Sequence, residues 1–223
     1  MGGRRRRAQA GYCSGIQSQG ANLVKQKLGE NIAREWAEEP AAPELWGALQ
    51  KIKSDPLAGR ELLESLAQRG SALGMMYLGQ RYSTGRNGFS QDPKLAEYWL
   101  RRSAETSIEG AFQLAIHLRR AGRREEELME FRKPVDLKYS PAMFQLGCAY
   151  YYGSAVKQDF EKALYYFDLG EKEGHLPAAQ WSGNTLIRMG SISALRGVLK
   201  KLWFLVPILK QFAIYPDSDR IRL

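Results

Sequence analysis

The side chains able to do acid, base, nucleophilic or metal chemistry are few in this chain, and they are scattered. There are two histidines, His117 and His175, and two cysteines, Cys13 and Cys148, 135 positions apart in 223 residues. No two of them stand at a ligand spacing, so neither a CxxC site nor a paired-histidine metal site is expected. Neither the nucleophile elbow that exposes a reactive serine nor the glycine-rich loop that cradles a phosphate occurs. Glu125, Glu126 and Glu127 beside Arg123 and Arg124 could in principle work as an acid–base pair, but such a run reads as a solvated helix face. His117, between Ile116 and Leu118 in a predicted helix, either faces a groove or is solvated. Cys148 falls in a predicted buried helix, where a thiol acts as a small hydrophobe. The expectation is a non-catalytic protein with no cofactor and no metal.

Charge excludes a second class of function. The formal net charge of +9 suggests a nucleic-acid partner until it is located along the chain. Residues 1–28 carry +6 and residues 185–223 carry +5, which leaves −2 for everything between. A body that tracked phosphate backbones would itself be basic, because neutralising phosphates supplies most of the affinity. Nucleic acid is therefore not expected as the partner. Arg4 to Arg7 are followed by no apolar core of the secretory kind, and a cytoplasmic location is expected. Residues 1–20, rich in Arg, Gly, Gln and Ser, are expected to be a disordered basic tail.

The elements that would position any binding residue come from an internal repeat. The stretch from Gly74 to Ala111 recurs about 67 residues later, from Ala142 to Ala178, with one residue fewer in a loop. Leu78, Gly79, Tyr82, Gly85, Asp92, Ala96 and Trp99 match Leu146, Gly147, Tyr150, Gly153, Asp159, Ala163 and Tyr166. Phe160, Ala163, Leu164 and Phe167 fall at i, i+3, i+4 and i+7, one face of a helix. Asp92 and Asp159 are expected to cap the starts of second helices, and Gly85 and Gly153 to end first helices, where a positive φ suits glycine. Gly79 and Gly147 are expected where the two helices of a hairpin touch, opposite Ala96 and Ala163. Asp55-Pro56 lies 37 residues before Asp92-Pro93, and glycines at 85, 122, 153 and 190 recur at 37, 31 and 37. Periods in this range mean stacked helix hairpins.

The pattern A-x-x-x-L-G-x-x-Y-x-x-G, then V-x-x-D, K-A-x-x-[WY] and G-H-x-x-A, resembles the Sel-one-like repeat, a relative of the tetratricopeptide repeat. Ala142, Leu146, Gly147, Tyr150, Gly153, Val156, Asp159, Lys162, Ala163, Tyr166, Gly174, His175 and Ala178 match it nearly throughout; the copy over 74–107 departs at Gly74, Phe89, Leu95 and Ser107. The resemblance implies an all-α fold, a right-handed α-solenoid of stacked hairpins. It places four to five hairpins over residues 41–204, best matched at 74–107 and 142–174, and makes His175 a structural turn residue. A branch of the family associated with antibiotic hydrolysis carries paired cysteines in each repeat, which this chain lacks.

The function the resemblance implies is a scaffold that binds a protein partner, a peptide or a helix, in the groove lined by first helices. A helical-wheel reading puts Tyr77, Arg81, Thr84, Gln113 and His117 there, followed by Gln145, Tyr152 and Trp181. Residues 21–40 are expected to hold an amphipathic helix from Asn22 to Glu39. At the other end, the apolar run Leu202 to Leu209 is too short to span a bilayer, and residues 205–223 form an apolar and basic tail. Ser193 to Val206 reads as a last second helix whose apolar excess covers the end of the array. The alternatives are a docking helix for another protein or a dimer seam, and contact with a membrane surface through Trp203 and Phe204 beside Lys200, Lys201 and Lys210.

Overall fold

Each of the three aspartates that precede a second helix sits at the first turn of one. Asp55 accepts from the Ala58 N–H at 3.2 Å, Asp92 from Leu95 N–H at 2.9 Å and Asp159 from Lys162 N–H at 2.9 Å. Each carboxylate thereby satisfies a backbone donor that has no partner inside its own helix. Pro56 and Pro93 follow at the first helical position, where proline forfeits no hydrogen bond. The opposite ends are as local: Gly85 and Gly153 close their helices at φ of 64° and 69°.

The structure, a computed structural model, describes residues 30–190, 195–199 and 202. Among these residues there are helices and turns but no strands, and the fold is all-α. The helices are α1 (Glu30–Glu38), α2 (Ala42–Ser54), α3 (Pro56–Gln68), α4 (Ala72–Thr84), α5 (Pro93–Ala104), α6 (Ile108–Arg120), α7 (Arg124–Glu130), α8 (Arg132–Asp136), α9 (Ser140–Tyr152), α10 (Phe160–Lys172) and α11 (Leu176–Met189). They fall into two compact units divided between Leu137 and Lys138. The tail over 1–20, Trp203, Phe204, Lys200, Lys201, Lys210 and the segment 205–223 lie outside the described residues, as does the part of the expected first helix before Glu30.

The first unit pairs α2 with α3, α4 with α5, and α6 with α7 and α8. Leu45, Leu63, Leu78, Leu100, Leu114 and Phe131 are almost wholly buried between them. Small residues let the helices approach. A Cβ built on Gly79 would lie 2.6 Å from Leu100 Cγ and 3.0 Å from the Ala96 carbonyl oxygen, so Leu100 fills most of the space expected for Ala96. The loop after α4 returns to it: the Asp92 N–H donates to the Tyr82 carbonyl at 3.0 Å, and the Gln91 amide to the Ser83 carbonyl at 3.2 Å.

The third hairpin departs from the expected pattern. Its second helix is broken into α7 and α8 around Phe131. Pro134 accounts for the break, because its ring nitrogen cannot donate to the Glu130 carbonyl and its ring crowds that oxygen. The hairpin has no long loop, and charged groups hold it. Arg123 reaches Glu97 at 2.7 Å and Glu126 at 2.5 Å, while Arg101 pairs with Glu97 at 2.7 Å. The expectation of a solvated glutamate run is corrected at Glu127: it is 3% exposed and bound by Arg119 at 2.5 Å and Arg124 at 3.1 Å. Glu125 is the exposed member.

The second unit repeats the scheme with α9 and α10, then α11 and a helical stretch over 195–199. The Asp159 N–H donates to the Tyr150 carbonyl at 3.0 Å and the Gln158 amide to the Tyr151 carbonyl at 2.8 Å, duplicating the loop bonds of the first unit despite the length difference. Here Phe167 does what Leu100 does there: a Cβ on Gly147 would lie 2.5 Å from its ring. His175 caps α11, its Nδ1 accepting from the Ala178 N–H at 3.2 Å, which requires that nitrogen unprotonated; burial lowers its pKa from the ordinary histidine value. Gly197 seats the last helical stretch against α11, where a Cβ would meet the Gly183 carbonyl oxygen at 2.5 Å. Leu195, Val198, Leu199 and Leu202 are left exposed at 62%, 45%, 56% and 56%.

Candidate functional site

The face carried by the first helices of the first unit is already partly occupied by the chain itself. α1 lies against the starts of α4 and α6. Its Glu35 carboxylate accepts from the Ser107 hydroxyl at 2.7 Å and from the Ile108 N–H at 2.5 Å, and Glu39 accepts from the Leu73 N–H at 3.2 Å. Free N–H groups and the helix dipole both favour a carboxylate at such a place. Ser71 and Ser107 also cap their own helices, accepting from Gly74 and Gly110. Between the two glutamates, Trp36 is 7% exposed and packs edge-on against Tyr77, with ring centroids 6.0 Å apart, and against Trp46 at 6.2 Å.

Tyr77 therefore lies half-buried beneath an indole. Burial, helped by the Glu109 carboxylate, pushes its phenol up to about 12, so it stays neutral. Arg81, one turn further along α4, is half-buried; its Nε is shielded from solvent and has no hydrogen-bond partner among the described residues. Thr84, a further turn on, donates its hydroxyl to the Gln80 carbonyl at 2.9 Å. Gln113 on α6 donates to Glu109 at 2.8 Å and accepts from Gln80 at 3.4 Å, linking α4 to α6.

His117 is not part of that surface. It is 5% exposed, with Nδ1 3.0 Å from the Ser83 hydroxyl, to which Arg120 donates at 3.4 Å. The Ser83 hydroxyl thus accepts from Arg120 and shares a hydrogen bond with the imidazole. Burial lowers its pKa, against the pull of Glu97 and with the help of Arg120, Arg123 and Arg101. The serine–histidine contact links α4 to α6.

In the second unit the first-helix side chains make an aromatic group. Trp181 of α11 is edge-on to Tyr151 at 5.1 Å and to Tyr152 at 5.7 Å, and it approaches Phe144 at 6.4 Å and Phe167 at 6.0 Å. Tyr152 is 60% exposed, whereas Tyr151, Gln145 and Trp181 are half-buried. Tyr150 turns away from this group and stacks on Tyr166 at 5.6 Å, with the Lys162 ammonium 5.4 Å above its ring. The predicted residues thus separate into two faces, one in each unit: Tyr77, Arg81, Thr84 and Gln113 in the first, and Gln145, Tyr152 and Trp181 in the second. Reading the sequence found the amphipathic α1 but missed Glu35 and Glu39 as partners of helix starts. Two serines three positions ahead of Gly74 and Gly110 marked those starts, but nothing in α1 marked where it would dock.

No described cluster of His, Cys, Asp and Glu could hold a metal ion. No described helix is long and apolar enough to cross a membrane.

Hairpins jointed by glycine and capped by aspartate define an α-helical repeat fold. Residues 72–105 and 140–175 match the family model of the Sel1 repeat. The chain is similar in structure to a Sel1 repeat protein from Oxalobacter formigenes, at 19% identity and a TM-score of 0.60, over 82% of each chain. It is also similar to c5321, a protective antigen of uropathogenic Escherichia coli strains with an SLR fold, at 22% identity and a TM-score of 0.59; that match spans 86% of this chain and 46% of the other. No curated protein matches it. Sel1-repeat proteins generally mediate protein–protein interaction, and the family is typically non-catalytic.

Proposed function

We propose that the chain is a non-catalytic scaffold that binds a peptide or a helix of another protein on the faces of its first helices. The observation that carries this reading is the aromatic group of the second unit. Tyr152 keeps 60% of its surface exposed beside Trp181, although the hairpin core needs neither its ring nor its hydroxyl. Rigid aromatic side chains at a preformed surface give contact area while losing little conformational freedom on binding. In the first unit, the seating of α1 on α4 and α6 supports the same reading, since the face there accepts a helix through one indole and two carboxylates. Tyr152→Ala is expected to change stability by no more than about 0.5 kcal/mol, as surface substitutions do. It should nevertheless weaken capture of the partner, recovered from the native host by affinity capture and mass spectrometry, by about fivefold or more. An unchanged captured set at unchanged stability would remove Tyr152 from the binding surface.

A second reading, a peripheral membrane-associated regulator, is favoured by the exposed stripe of Leu195, Val198, Leu199 and Leu202. These residues stand at i, i+3, i+4 and i+7, and Arg196, Lys200 and Lys201 are interleaved in the sequence, the pattern of a helix that lies in a lipid interface. Under this reading the full chain sediments with anionic vesicles and a chain ending at Gly190 does not. Loss of helicity on truncation without vesicle binding by the full chain would assign the stripe to the end of the repeat array.

A further inference from the structure

Building on the scaffold reading, we propose that Arg81 is the anchor for an acidic side chain of the partner, presented by a segment that lies beside α1 on the α4–α6 face. The argument starts from what the chain has already placed there. α1 and the residue that follows it bring two carboxylates to this face, and both are engaged: Glu35 by Ser107 and Ile108, Glu39 by Leu73. Trp36 covers Tyr77.

One helical turn beyond, Arg81 carries a charge that no described carboxylate answers. It makes no ion pair among the described residues, its Nε is out of contact with solvent, and Arg86 nearby adds positive charge. The contrast within the unit is sharp: Arg60, Arg69, Arg101, Arg119, Arg123 and Arg124 each reach a glutamate. A half-buried guanidinium with an unfilled donor costs stability in the free protein, and burial lowers its pKa accordingly.

Such a cost is offset when a partner supplies the missing acceptor, and guanidinium matches carboxylate with two parallel N–H···O bonds. The half-exposed line of Tyr77, Arg81 and Thr84 at i, i+4 and i+7 gives that carboxylate one place to sit. Glu35 of α1 already shows that this face receives a carboxylate from a helix rather than from a chain end. An acidic helical segment is accordingly the occupant that the charge of the site selects.

The test uses the full chain and a phage-displayed library of random twelve-residue peptides. Peptides selected on the wild type are expected to carry Asp or Glu at one recurrent position. Measured by fluorescence anisotropy, they should bind Arg81→Met at least about tenfold more weakly, with Arg81→Lys recovering part of the loss. Arg81→Met should melt at the same temperature as the wild type or above it, which separates an anchor from a structural arginine. Three results overturn the proposal: selected peptides that bind wild type and Arg81→Met equally, affinity that resides in the peptide C-terminal carboxylate and is lost on amidation, or a lowered melting temperature for Arg81→Met. If no peptide is selected by the wild type, while Tyr152→Ala still changes partner capture, only the Arg81 anchor fails. If neither surface binds, the scaffold reading fails with it.

Discussion

Phe167→Ala is expected to lower stability by about 3–5 kcal/mol, the loss typical of emptying an aromatic site in a packed core. The ring is fully buried among Ala163, Ala178, Phe144 and Trp181, and it fills the space that Gly147 leaves between α9 and α10. The same contact makes a second result diagnostic. An exposed glycine in a helix interior becomes more stable by roughly 0.5–1 kcal/mol on replacement by alanine. Gly147→Ala should do the opposite, costing about 1–3 kcal/mol, because its Cβ would press on a ring with nowhere to move. In the Phe167→Ala background the added methyl enters the vacated space, so the two changes should combine to less than their sum by about 0.5–3 kcal/mol. Urea denaturation of the four proteins followed by far-ultraviolet circular dichroism measures each corner of the cycle. Strict additivity would mean that the glycine and the ring do not touch as described.

Glu127→Ala should destabilise the chain by about 3 kcal/mol, the low end for breaking a buried ion pair, because Arg119 keeps 29% of its side chain in water. Its carboxylate is the shared acceptor of Arg119 and Arg124, and the Arg119 guanidinium also lies 5.7 Å from the Phe131 ring at the break between α7 and α8. Removing the acceptor takes away the buried carboxylate that Arg119 and Arg124 share. The double replacement Glu127→Met with Arg119→Met should recover much of the loss, since two apolar side chains of similar length need no mutual neutralisation. Thermal melts at fixed ionic strength give the comparison. A loss within about 0.5 kcal/mol for Glu127→Ala would assign the pair to the exposed class that adds little.

The two predictions mark where sequence reading worked and where it stopped. The joints of the fold were legible because they depend on neighbours in sequence: Asp92 and Asp159 cap donors three residues on, and Gly85 and Gly153 adopt the left-handed turn that other residues avoid. The seam was legible in kind but not in partner. Gly79 and Gly147 were expected to face alanines, whereas Leu100 and Phe167, one turn further along, take up the space. The third hairpin was misread because its charges pair across a turn. Glu127 looks like one of three equivalent glutamates, and only the packing of α7 on α6 distinguishes it. Of the groove residues, His117 sat on the expected helix but on the seam side, and Tyr77 faced outward only to be covered by a helix about forty residues earlier. Such long-range coverage leaves no trace in local periodicity, which reports which face of a helix is apolar and not what lies on it.

The doubled acceptors at the starts of α4 and α6 bear on how firmly α1 belongs to the unit. Ser71 and Ser107 each satisfy a donor of their own helix, while Glu35 and Glu39 take different ones. Were α1 to lift away, neither helix would fray, and the freed amides at Leu73 and Ile108 could turn to water. The hairpins behind it are finished without it. That makes α1 a removable leaf on a self-supporting stem.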